Sequence, residues 1–94
     1  MSLSTSTVLE VAGKEIVIRE VTVTIARQLL QPDTDLDLLN SALFKDVRLN
    51  DLVLLTSLER AEIEEMYPSD LRKVIDASKA KNPDFFEMLA RVLP

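Results

Sequence analysis

Apolar and polar positions change their period once along this chain, near residue 20. Before that point, Val8-Leu9-Glu10-Val11 and Ile16-Val17-Ile18 are short apolar runs, rich in β-branched residues, on either side of Ala12-Gly13-Lys14. Gly13 is the only glycine, and it stands where a tight turn needs positive φ. The pattern predicts a β-hairpin over 7–20. A two-stranded hairpin is marginal in water, so one face must pack on helices or pair with another chain. Val8, Val11, Ile16 and Ile18 give it more apolar surface than a surface hairpin needs, which makes them candidates for self-association.

Beyond residue 20 the spacing is helical. Thr22 or Thr24 can cap a short helix carrying Ile25, Ala26, Leu29 and Leu30, which Pro32 stops. Asp33 or Asp35 can cap the next, whose Leu36, Leu39, Leu43 and Val47 recur at core-facing intervals, with Leu38, Ala42 and Phe44 widening the apolar surface. Asn50 can cap the all-apolar stretch Leu52-Val53-Leu54-Leu55, expected to be the central buried helix. Thr56-Ser57-Leu58-Glu59 matches a capping box ahead of an acidic helix that ends at Pro68. Leu71, Val74, Ile75 and Ser78 form the stripe of a helix opened by Pro68-Ser69-Asp70. Phe85, Met88, Leu89 and Val92 repeat that spacing after Asn82-Pro83-Asp84, where Asn is a preferred N-cap and Pro suits the first helical position. The expected fold is α+β and mainly α: an N-terminal β-hairpin followed by five or six short helices packed as one small domain. Residues 1–6 are expected to be a flexible N-terminus, and 7–94 a single domain, helical over 21–94.

Composition narrows the chemistry. The 94 residues suffice for one core and are too few for separate catalytic and substrate domains. The chain has no Cys and no His, which removes disulfides, thiolate chemistry, imidazole acid/base catalysis and the usual transition-metal ligands. Paired carboxylates such as Glu62 and Glu65 read as the solvated face of an acidic helix. Asp33, Asp35 and Asp37 resemble the start of a calcium loop, but Phe44 stands where its final Glu belongs. One glycine cannot build a phosphate-binding loop. No catalytic, cofactor or metal site is therefore expected. The net charge of −5 repels nucleic acid and anionic membrane surfaces. No apolar run approaches bilayer-spanning length, and the start lacks signal-peptide character, so a cytosolic protein is expected.

The last helix carries the candidate contact surface. Phe85 is expected at the centre of its core stripe and Phe86 at the flank, about 100° around, so Phe85, Phe86, Met88 and Leu89 are candidate partner-binding residues, with Met88 supplying adaptability. Arg72, Lys73, Lys79, Lys81 and Arg91 concentrate basic charge in the last two helices, while the middle of the chain is acidic.

The order of features resembles the tail assembly chaperones of long-tailed bacteriophages and their prophages. The features are the hairpin around Gly13, Ile18-Arg19-Glu20-Val21-Thr22 leading into a helix, a Leu-rich middle, Pro68-Ser69-Asp70-Leu71, and Asn82-Pro83-Asp84-Phe85-Phe86. The likeness spans about residues 8–93. Where that family more often carries Glu, this chain has Asp70, which keeps the charge and the helix start.

The resemblance implies a non-catalytic protein of the bacterial host cytoplasm, absent from the mature virion, that binds the aggregation-prone tape measure protein during tail assembly. It also implies a possible contact with the tail tube protein through a frameshift-extended form. An exposed hairpin edge could join subunits into a homo-oligomer. Two other classes fit the residues: a small acidic regulatory or antitoxin-like module acting through the helix around Glu59–Glu65, and a minor structural virion protein that polymerises through the hairpin.

Overall fold

A computed structural model of the chain describes residues 6–32, 34 and 37–92. Strands β1 (Ser6–Val11) and β2 (Lys14–Arg19) pair antiparallel, with Leu9 opposite Ile16 and Val8 opposite Val17. Ala12 (φ 53°) and Gly13 (φ 77°) both adopt left-handed conformations, the requirement of a two-residue type I′ turn. Ser6 already belongs to β1, one residue before the expected start, and residues 1–5 of the expected flexible terminus lie outside the described residues.

Among the described residues six helices follow: α1 (Val23–Leu29), α2 (Leu38–Ala42), α3 (Asp51–Leu55), α4 (Arg60–Glu64), α5 (Pro68–Lys81) and α6 (Pro83–Val92). The predicted architecture of a hairpin followed by short helices in one small domain is the one observed. Thr22 caps α1 by accepting from the Ile25 N–H at 3.2 Å. In α5 the four buried side chains are Leu71, Val74, Ile75 and Ser78, the stripe expected from spacing, and this helix lies across both strands. Ile16, Ile18, Leu52, Leu55, Val74 and Ile75 lose all solvent exposure and form the centre of the core.

The middle of the chain departs from its pattern. α2 is capped by Asp37, not by Asp33 or Asp35, which lie outside the described residues together with Leu36. It ends at Ala42 and does not run on to Val47. Leu39 is 58% exposed, while Phe44 and Val47 reach the core from an irregular segment. Polar anchors draw the chain off the helical path. Asp46 accepts from Lys79 at 2.5 Å, and Arg48 donates to the carbonyls of Leu29 (2.7 Å) and Gln31 (2.9 Å) while pairing with Asp51. Buried Asn40 completes the staple, taking the Leu49 N–H on its carbonyl and the Asn50 N–H on Oδ1, each at 2.9 Å.

Two expected caps serve other purposes. Asn50 precedes α3 without a side-chain cap bond, and its Oδ1 accepts from Arg60 at 2.5 Å. α3 buries Leu52 and Leu55 but turns Val53 toward solvent, so it is buried on one side only. Thr56 opens no capping box. Fully buried, it bridges Ile18 of β2, donates its hydroxyl to the Leu52 carbonyl at 2.6 Å and accepts the Leu58 N–H at 3.0 Å. The cap of α4 is Glu59, whose N–H donates to Glu62 Oε1 at 2.9 Å.

Candidate partner-binding surface

Helix α6 enters from Asn82, which closes α5 and accepts the Phe86 N–H on its backbone carbonyl at 3.2 Å. The Asn82 side chain does not cap α6 as expected. It reaches back to the exit of the hairpin, accepting from the Val21 N–H at 2.6 Å and donating to the Arg19 carbonyl at 2.9 Å. This anchor sets where α6 starts, and α6 docks one residue around from the expected stripe.

Phe86 is therefore the buried ring of α6, at 9% exposure, and Phe85 is half-buried beside it, the reverse of the expected order. The rings meet edge to face, 5.2 Å between centroids at 84°. Leu89 and Phe85 pack on the margin of the core, Met88 is half-buried, and Val92 is exposed.

Leu89 also lines an open groove of about 290 Å³ between α6 and the segments around Leu30 and Phe44. Phe85, Phe86 and Leu89 meet Leu29, Val47 and Leu55 around a separate, small cavity of about 20 Å³ that adjoins the groove at Leu89. Leu30, half-exposed at 50%, adds apolar surface to its wall. Sequence periodicity had not placed Leu29, Leu30, Phe44 and Val47 together, because the non-helical stretch after Ala42 that brings Phe44 and Val47 here has no period. Met88, proposed with its neighbours from spacing, is not among the groove-lining residues.

Charge borders this groove. Asp46 lies between Lys79 (2.5 Å) and Arg72 (3.5 Å) of α5, and the Arg72 guanidinium stacks 4.9 Å over the Phe44 ring. Burial pushes the Asp46 carboxyl up, but the hydrogen bond from Lys79, its own backbone and the two cationic charges outweigh that and hold it below the ordinary carboxylate range. A depressed folded value means the stabilisation is present above the unfolded value, about pH 4, and is lost as pH falls through the folded one. The melting temperature should therefore fall on acidification below about pH 4, and Asp46→Asn should lower it near neutral pH by the equivalent of about 1 kcal/mol while flattening that acid limb. Parallel thermal melts across pH check this; an unchanged acid limb in the variant would remove Asp46 from the account.

A second depression lies at the hairpin turn, where Val11, Ala12, Ala61, Met66 and Tyr67 form a mainly apolar cleft of about 360 Å³. Lys14 and Glu62 pair across its rim at 2.6 Å. The acidic helix α4 spends part of its charge within the chain, since Glu62 binds Lys14 and the Glu59 backbone and Glu64 pairs with Arg60. Those bonds from Lys14 and Glu59 hold the Glu62 carboxyl below its ordinary value.

The residues suggested for self-association separate. Val11, Ile16 and Ile18 are core residues under the helices, which accounts for the apolar excess of the hairpin, and only Val8 faces outward, at 60% exposure. Among the described residues there is no group of three or more acidic side chains placed to hold a metal ion, and no helix long and apolar enough to cross a membrane. Comparison with protein-family models, curated proteins and solved structures finds no match.

Proposed function

We propose that this protein is a non-catalytic tail assembly chaperone, acting in the host cytoplasm, whose α6 groove receives an amphipathic helix of the phage tape measure protein and keeps that protein soluble during tail assembly. The observation that carries the reading is the open groove beside α6, where Leu89, half-exposed Leu30 and Phe44 offer apolar contacts among the polar side chains of Gln31, Lys45, Asp46 and Arg48, a mixed surface suited to an amphipathic helix. The order of motifs along the chain supports the choice of partner. A net charge of −5 supports the holding role, because a complex that carries charge resists precipitation. An acidic regulatory module acting through α4 is less favoured, since Glu62 is paired with Lys14 and Glu64 with Arg60 inside the chain.

Coexpression with a phage tape measure protein tests the reading. The soluble fraction of the partner should rise and the two chains should copurify. Leu30→Glu, at a half-exposed position, should keep the fold by circular dichroism and lose the partner. A partner equally soluble alone, with no complex at micromolar concentrations, would remove the proposal's support.

A further inference from the structure

The hairpin has one edge that the Thr56–Ser57 segment partly closes and one that meets no partner among the described residues. A two-residue turn makes Val11 and Lys14 a hydrogen-bonded pair, and alternation then makes Leu9 with Ile16 and Thr7 with Ile18 the pairs that exchange backbone bonds. The N–H and C=O groups of Val8, Glu10, Val17 and Glu15 must point away from the hairpin. On β2 this is visible: the Val17 N–H donates to Ser57 Oγ and the Val17 carbonyl accepts the Ser57 N–H, both at 3.0 Å, beside the bridge between Ile18 and Thr56. On β1 the corresponding groups of Val8 and Glu10 meet no partner among the described residues. Unpaired groups along a regular strand are a template for another strand.

We infer that β1 pairs with β1 of a second copy, antiparallel across a two-fold axis at Val8, to give a four-stranded sheet. Outward-pointing residues must oppose outward-pointing residues, which leaves few symmetric registers. Centring on Glu10 sets two carboxylates directly against each other, and centring on Leu9 sets Val8 against Glu10. Centring on Val8 opposes Val8 to its own copy and Ser6 to the Glu10 of the second copy, a polar pair with no like charge. It also places the 60%-exposed Val8 between half-buried Val17 of its own chain and the same pair of the other, making one apolar stripe across four strands. An axis normal to the sheet puts the helices of both copies on one face, so the pairing leaves each copy's core intact. This inference stands independently of the chaperone reading, since it uses no residue of the α6 groove.

Two kinds of variant test it in the full-length chain. Val8→Pro removes an N–H that the β1–β2 ladder does not use and that the dimer requires. Sedimentation of the unaltered protein should show a concentration-dependent dimer, and Val8→Pro should sediment as a monomer with an unchanged far-UV spectrum. Val8→Lys, which places two ammonium groups on the axis, should do the same even if the proline variant folds poorly. The protein contains no cysteine, so single-cysteine variants report contacts cleanly. Opposed hydrogen-bonded residues lie about 5.5 Å apart at Cα, within disulfide range, so oxidised Val8→Cys should run as a covalent dimer while Glu15→Cys on the other strand should not. A chain that stays monomeric up to millimolar concentration overturns the inference, as does a dimer that survives Val8→Lys or cross-links equally through both cysteines. A β1 edge that pairs only with a different protein overturns it too.

Discussion

Phe86→Ala is expected to be the most damaging single change in α6, costing about 3–5 kcal/mol, because it empties a site walled by Leu29, Val47, Leu55 and Leu89 and removes the edge-to-face partner of Phe85. Small domains have about 5–15 kcal/mol of total stability, so the variant should be largely unfolded or close to it. At about 4–8 °C per kcal/mol for a chain of this size, its melting temperature should drop by well over ten degrees. Phe85→Ala should cost less, about 1–2 kcal/mol, since a half-buried ring forfeits only part of the transfer free energy of full burial. If the proposed function holds, the same substitution should also weaken partner binding, because Phe85 lines the small cavity that adjoins the groove at Leu89. Thermal melts on the two variants decide the docking of α6. Should Phe85→Ala prove the more destabilising, the helix sits one residue around, on the stripe that spacing alone suggested.

That difference of one residue marks what could be read from the chain. Elements whose partners are near in sequence were legible: Gly13 between two β-branched runs, Thr22 ahead of α1, and the stripe of Leu71, Val74, Ile75 and Ser78 all appear where local pattern put them. Residues whose role is set by distant partners were misread. Leu39 has core spacing yet faces solvent, because Asp46 and Arg48 are held by α5 and by the end of α1, and the chain leaves the helix to reach them. Thr56 has the sequence of a cap and the position of a strand partner, since only the folded hairpin reveals that β2 needs an edge neighbour. Of the candidate groove, the α6 half was visible as an amphipathic terminal helix. The half formed by Leu29, Leu30, Phe44 and Val47 was not, because polar anchors and not periodicity assemble it.

Asn82 shows the same principle at a single buried side chain and yields the sharpest electrostatic expectation. At 5% exposure it accepts from the Val21 N–H and donates to the carbonyls of Arg19 and Ser78, tying the end of α5 to the exit of the hairpin. Asn82→Ala should cost about 1–3 kcal/mol, since the Val21 N–H and the Arg19 carbonyl each lose a partner in a part-buried site. Asn82→Asp preserves shape and the acceptor for Val21 but turns a carboxylate oxygen toward two carbonyls. Burial and those dipoles disfavour its charged form more strongly than the single Val21 N–H favours it, so the new carboxyl should have a folded pKa raised above the unfolded value of about 4. The folded state then binds more protons than the unfolded one across that interval, and stability should rise as pH falls through the raised value. Protonation also restores a donor for the Arg19 carbonyl. Asn82→Asp should therefore approach the unaltered protein in stability near pH 4, where its deficit is about 1 kcal/mol or less, and fall well below it at neutral pH. Asn82→Ala should show no such recovery. Urea titrations of both variants at the two pH values distinguish the outcomes: a deficit of Asn82→Asp independent of pH would mean that water reaches this side chain, and that the link between α5 and the hairpin is carried by packing alone.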